Sequence, residues 1–222
     1  MVEPIHFLHL QMRLEGKEIV DACFIREVEA VPGEEMPLIL VTGLAHGQMV
    51  VYYDEALSRE LQESLAAPIA EIEFPAIDPL LDVLKKRDMQ FDVGHYKTYV
   101  FPSMPVQDGD VHCLSKDDRR VKAFGFDGFA EQVYAVEREG NVVSACVSAR
   151  ENKLCGEAWV YTAPEYRGQG LAQKAVNAWA GSLMSTGKIP FYSHKIDNLA
   201  SAQLAARLGL LPIFEEIAIT RA

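Results

Sequence analysis

The spacing of apolar positions in residues 106–222 switches between a period of two and a period near 3.6, and the switches mark the elements. Val111–Leu114, Gln132–Glu137, Val142–Arg150 and Cys155–Thr162 carry the β-branched, alternating residues of strands. Glu139-Gly140-Asn141 and Glu151–Leu154 separate the last three runs, which predicts an antiparallel meander with Gly140 and Asn141 free to take positive φ. Ser115-Lys116-Asp117-Asp118 opens a short helix, capped by Ser115, that reaches Phe124 before Gly125–Gly128 breaks it. From Gly170 the period lengthens. Ala172, Ala175, Val176, Trp179 and Leu183 form one stripe, and Gly187 ends that helix. Ile189–His194 is a strand. Asp197 or Asn198 caps a second helix, with Ala200, Leu204 and Leu208 at intervals of four, and Leu210–Ile219 is a last strand. The order is β-α-β-β-β-α-β-α-β, and the part from Cys155 on predicts a right-handed parallel βαβ unit.

Residues 1–105 are less regular. The apolar run 4–14 fits a helix or a strand, and so does Ile19–Ile25. Leu38–Thr42 and Gln48–Tyr53 read as a hairpin across Gly43–Gly47. Asp54 reads as the cap of a helix over Glu55–Ala66 ended by Pro68. Ile69–Phe74 reads as a strand, Asp78-Pro79 as the start of a helix to Asp88, and Phe91–Phe101 as a strand. Pro102–Pro105 reads as a linker, so the fold class is mixed α/β (α+β) in two parts, 1–105 and 106–222.

Composition narrows the class. The chain has 222 residues, 49% of them apolar, enough for a buried core. The net charge of −11 is uneven: residues 1–105 hold 8 Lys and Arg against 18 Asp and Glu, and residues 106–222 hold 13 against 14. Neither half has the basic footprint of a nucleic-acid binder, and no run is long enough to span a membrane. Met1-Val2-Glu3-Pro4 does not open a signal peptide, and Cys23, Cys113, Cys146 and Cys155 lack CxxC spacing, so reduced thiols and a cytoplasmic location are expected. His6, His9, His46 and His95 are too scattered for a metal site. The acidic first part is assigned to packing, homodimerisation or the shaping of an acceptor cleft.

The candidate chemistry sits at Thr162-Ala163-Pro164-Glu165-Tyr166-Arg167-Gly168-Gln169-Gly170-Leu171-Ala172, where a strand turns tightly into a long helix. Such a turn aims backbone N–H groups and the positive helix end at one point, an anion site. A dinucleotide fingerprint would want Gly or Ala where Gln173 stands, and no Gly-Lys-Ser/Thr of a P-loop is present.

Arg167-Gly168-Gln169-Gly170-Leu171-Ala172, with Asn198-Leu199-Ala200-Ser201 and Leu208-Gly209-Leu210 after it, resembles the two signature blocks of the GNAT superfamily of acyl-CoA-dependent N-acetyltransferases. The resemblance covers residues 106–222. It implies a mostly antiparallel central sheet with splayed strands, flanked by helices. It also implies acetyl-CoA as co-substrate without a metal, and a small-molecule amine or protein amine as acceptor. The backbone of Val160, Tyr161 and Thr162 would face pantetheine, Arg167, Gly168, Gln169, Gly170, Leu171 and Ala172 would hold the pyrophosphate, and Asn198 and Ser201 would contact pantetheine or the sulfur end. Lys174 is either a phosphate ligand or a solvated lysine. Glu157 is the candidate base, with Tyr192 and His194 as secondary catalytic candidates. One departure stands out: the tyrosine that many relatives use toward the leaving thiolate is replaced by Ala205. Either Ser201 or Tyr192 takes that role, or the thiolate leaves unassisted, or the protein binds CoA without fast turnover; the last motivates the alternative, a non-catalytic acyl-CoA sensor.

Overall fold

The apolar run that fits either period is a helix, Pro4–Leu14 (α1), with Pro4 in the first turn, where its missing N–H costs nothing. The structure, a computed structural model, describes residues 3–21, 23–31, 35–106, 109–128 and 130–222. Lys17–Asp21 (β1) and Phe24–Glu27 (β2) pair antiparallel, as do Ile39–Leu44 (β3) and Met49–Asp54 (β4). The next helix, Arg59–Ala70 (α2), starts later than the sequence suggests. Asp54 Oδ1 closes a local turn by accepting the Ala56 N–H at 2.9 Å, and the N-cap is Ser58, whose Oγ accepts from Leu61 N at 3.3 Å. Pro68 lies in the last turn of α2 instead of ending it, so Ile69–Phe74 is not the expected strand; it holds the helix end and a turn closed by the Glu73–Ala76 bridge. Asp78–Lys86 (α3) and Phe91–Val100 (β5) follow.

The remaining elements are Val111–Ser115 (β6), Arg119–Phe124 (α4), Gln132–Arg138 (β7), Asn141–Glu151 (β8), Cys155–Thr162 (β9), Leu171–Ser185 (α5), Ile189–Lys195 (β10), Leu199–Arg207 (α6) and Leu211–Arg221 (β11). The cap of α4 is Asp118 and not Ser115, whose Oγ instead accepts from Asp117 N. The β7–β8 turn takes its positive φ at Glu139 and Gly140, one residue earlier than expected.

Met1–Lys97 and Ile213–Ala222 form one compact unit, and Thr98–Pro212 forms another. The final strand, expected with residues 106–222, pairs antiparallel with β3. The first unit orders its strands β1-β2-β4-β3-β11-β5. Leu61 and Leu65 of α2 and Leu80 and Leu84 of α3 pack there with Ile39, Val41, Ile217 and Ile219. Two of its histidines are engaged locally: His9 Nε2 lies 3.0 Å from the Tyr52 hydroxyl and His95 Nε2 2.7 Å from Glu215 Oε1.

The second unit orders its strands β10-β9-β8-β7-β6, antiparallel except for the parallel β9–β10 pair. Alternation along β8 divides its residues between two layers. Cys146 faces α5, whose Ala175, Val176, Trp179 and Leu183 fill one core. Ala145 and Val147 face α4 and join Val121, Phe126, Val133 and Ala135. Cys23, Cys113, Cys146 and Cys155 are free thiols. Among the described residues no helix is long and apolar enough to cross a membrane.

Candidate active site

The turn between β9 and α5 is built from a short 3-10 segment, Pro164–Tyr166, and two glycines in the left-handed region, Gly168 at φ 77° and Gly170 at φ 75°. A Cβ built on either glycine would meet no protein atom within 4 Å. Packing against the protein therefore does not explain the glycines; backbone conformation and the space beside them do. Gly170 is the N-cap of α5, and no side chain caps that helix, which leaves its first-turn N–H groups pointing at open space. Arg167 is held over the same space, its Nε donating to Thr162 O at 3.1 Å and its guanidinium 5.7 Å from the Tyr161 ring centre.

That space is a cavity of about 550 Å³. Of the residues expected to bind cofactor, Val160, Tyr161, Thr162, Arg167, Gly168, Gly170, Leu171, Ala172, Asn198 and Ser201 line it. Gln169 stays in the turn, exposed and outside the lining. Asn198 Oδ1 accepts from Ser201 N at 3.1 Å, so Asn198 caps α6 while facing the cavity. Lys174 is bonded to Asp110, Nζ to Oδ2 3.0 Å, which makes a surface ion pair.

The cavity exists because β9 loses its partner. Pairing with β10 runs from Ile189↔Cys155 to Phe191↔Glu157, while β9 continues to Thr162 and β10 to Lys195. Glu157 thus stands at the fork. It is 5% exposed, and its Oε2 lies 2.6 Å from Nη2 of Arg150. This pair is a product of a β-bulge. The β8–β9 register shifts between Ser148↔Ala158 and Arg150↔Glu157, so Arg150 comes to face a position that Ala149 would occupy in a regular ladder. Glu157 does not line the cavity, nor do Tyr192 and His194.

Tyr192 and His194 lie together on β10. The Tyr192 hydroxyl donates to the carbonyl of Ser201 at 3.5 Å, and burial pushes its phenol up to about 12. His194 Nδ1 sits 2.8 Å from the Lys195 carbonyl, so in the neutral ring Nδ1 carries the proton and Nε2 accepts from the Tyr99 hydroxyl at 3.3 Å. Tyr99 also stacks on His194, with ring centres 5.5 Å apart. Held this way, His194 orders the splayed end of β10. Tyr192 shares a core cluster with Ala205 and is the group that reaches α6 next to the cavity-lining Ser201.

Residues 125–215 match the family model for the GNAT acetyltransferase. This region is a GNAT domain. A 95-residue stretch of the chain is 36% identical to the uncharacterized N-acetyltransferase YdfB of Bacillus subtilis (strain 168), over 43% of this chain and 35% of that protein. The chain therefore spans about a third of that relative's length. A GNAT-family acetyltransferase structure from Colwellia psychrerythraea matches at 12% identity, TM-score 0.51, over 80% of this chain and 79% of that one. Another, from Novosphingobium aromaticivorans DSM 12444, matches at 19% identity, TM-score 0.50, over 59% and 66%. At such identities the likeness is one of fold.

The GNAT domain also brings to the cavity residues that motif reading missed: Tyr166, Gln173, Gln203 and Arg207. A periodic signal for the last two was present. Ala200, Gln203, Leu204 and Arg207 fall at spacings of three and four on α6 and so share the face carrying the lining. Gln173 Nε2 donates to the Arg207 carbonyl at 3.2 Å, joining the two helices at the cavity edge.

Proposed function

We propose that the GNAT domain transfers an acetyl group from acetyl-CoA to a primary amine by direct attack while both are bound. The observation that carries this reading is the coincidence of the end of β9 that has parted from β10 with the uncapped, glycine-lined start of α5 in one cavity. The residues present fit CoA. Gly168 and Gly170 leave a cradle that a Cβ would fill, the first-turn amides suit a pyrophosphate, and Arg167 adds charge. Beyond Glu157, β9 has backbone groups on its open side for the amides of pantetheine.

Acetyl-CoA supplies a thioester carbonyl for attack. The chain must remove a proton from an amine whose pKa is about 10 in water. Glu157 serves as the base through a water, and Arg150, fixed on Oε2, sets the orientation of the carboxylate. Glu157→Gln is expected to lower kcat by roughly a hundredfold with unchanged acetyl-CoA affinity. Stopped-flow acetyl transfer and calorimetry check both parts, and an unchanged rate removes Glu157 from the chemistry.

Tyr192 takes the donor role that Ala205 cannot. A phenol near 12 stays protonated. Beside a thiolate whose parent thiol has a pKa of about 8.5, it would keep its proton and turn its one O–H from the Ser201 carbonyl, 3.5 Å away, toward the sulfur. Tyr192→Phe is expected to reduce kcat by about tenfold, the cost of one charge-assisted hydrogen bond, with the KM for acetyl-CoA unchanged. A raised KM at constant kcat would assign Tyr192 to binding alone.

The decisive experiment for the whole reading combines calorimetric titration with acetyl-CoA and single-turnover acetylation across a panel of primary amines. Binding with transfer is the expected result. No heat at near-millimolar ligand, or binding with no transfer to any amine, would overturn it.

A further inference from the structure

The donor proposed above carries anionic charge in two places, on its pyrophosphate and on the 3′-phosphate of its ribose. The glycine turn answers the first. The cavity has a second cationic end. Helix α6 lies along it, with Asn198 and Ser201 at its start and Arg207 at its close, all in the lining. The step from Ser201 to Arg207 is about 9 Å, at ~1.5 Å per residue. The Ser201 end is the inner one, next to the hydroxyl of buried Tyr192. The Arg207 end is exposed, and the side chain of Gln173, in the first turn of α5, is bonded to its carbonyl.

The cations around the cavity differ in what already holds them. Arg167 has its Nε on Thr162 O and its guanidinium over the Tyr161 ring. Lys174 is paired with Asp110. The Arg207 side chain makes no hydrogen bond or ion pair among the described residues; its carbonyl alone is engaged. A cation in the last turn suits the helix dipole, which accounts for a charge at this end of α6. It does not account for the face. Arg207 stands in one stripe with Ala200, Gln203 and Leu204, all of which line the cavity, while the equally exposed Ala206 lies outside the lining. A guanidinium held this way offers its fork of donors to a phosphate.

We propose that Arg207 is the residue by which this chain recognises the ribose 3′-phosphate of its acyl donor, so that the complete coenzyme is preferred over its dephospho form. The assignment rests on the acetyl-CoA reading above. It adds that the donor is selected at its nucleotide end, away from the thioester.

The test is calorimetric and needs no acceptor. The full chain and its Arg207→Gln, Arg207→Lys and Arg167→Gln variants are titrated with acetyl-CoA and with 3′-dephospho-acetyl-CoA. The unaltered chain is expected to bind acetyl-CoA about tenfold more tightly, the scale of one exposed charge-assisted contact, and to lose that preference as salt screens it. Arg207→Gln is expected to weaken acetyl-CoA to the level of the dephospho form and leave the dephospho form unchanged, which also shows that the site is still folded. Arg207→Lys, which keeps the charge without the fork, should retain part of the preference. Arg167→Gln should weaken both ligands alike. Equal affinity of the unaltered chain for the two ligands, a preference that survives Arg207→Gln, or an equal loss for both ligands in Arg207→Gln would overturn the assignment and leave the acetyl-CoA reading standing. No heat with either ligand would sink that reading and the assignment with it.

Discussion

Gly170→Leu is expected to weaken acetyl-CoA binding by about a hundredfold, ~2.7 kcal/mol, while costing the fold less than that. The two costs have different origins. A leucine at φ 75° is strained, at roughly 1–2 kcal/mol for the left-handed region, but its Cβ meets no protein atom within 4 Å, so no packing is broken. The side chain instead enters the space that the first-turn amides of α5 face. Gly187 supplies the control. Its φ is 78° and its surroundings are equally open, but it lies past the far end of α5, more than about 20 Å from Gly170 at ~1.5 Å per residue. Gly187→Leu should therefore show the same conformational cost in urea denaturation with acetyl-CoA affinity intact. Equal loss of affinity in both variants, or in neither, would mean that the anion is not held at Gly170.

The largest loss of stability is expected at Trp179. Its indole is fully buried between α5 and the sheet, and its Nε1 donates to Ser148 Oγ at 2.9 Å. Trp179→Ala should cost about 3–5 kcal/mol through lost burial and the cavity left behind. Trp179→Phe retains a ring and loses the donor, at a cost of about 1–2 kcal/mol from the lost hydrogen bond and the smaller volume, since Ser148 Oγ still donates to Glu151. Urea midpoints for the two variants measure the split. If Trp179→Phe is as damaging as Trp179→Ala, the Ser148 hydrogen bond and not volume dominates. Acetyl-CoA affinity should fall with stability in Trp179→Ala, because α5 carries the anion-binding turn at its other end.

The GNAT domain was legible because its signals agree. The strands of the meander alternate, the α5 stripe keeps one face, and glycines stand where the chain turns. The first part offered conflicting cues. His6–Leu14 places apolar residues at spacings that serve a helix or a strand. The side chain of Asp54 bonds to the backbone two residues on, which looks in sequence like a helix cap, while the working cap is Ser58. Pro68 reads as a helix breaker, but in a last turn it removes little. At the site, the glycine turn was readable from local spacing alone. The partner of Glu157 was not. Arg150 reaches it only through a bulge, and a bulge changes register without leaving a period in the sequence. The contacts of Phe124 with Tyr161 and of Phe126 with Trp159 were likewise hidden, since these rings meet only after β9 folds back beside β8.

The placement of β11 has a consequence for how this chain is made. Unit two is one uninterrupted segment, whereas the sheet of unit one needs residues from both sides of it, with β11 between β3 and β5. In connectivity, the acetyltransferase-like segment is a guest spliced into a host. On the ribosome, at about 5–20 residues per second, the guest emerges complete and can fold while the host still lacks an internal strand. The host's β3 must therefore wait, with an open edge, for Phe214–Ile219 to arrive.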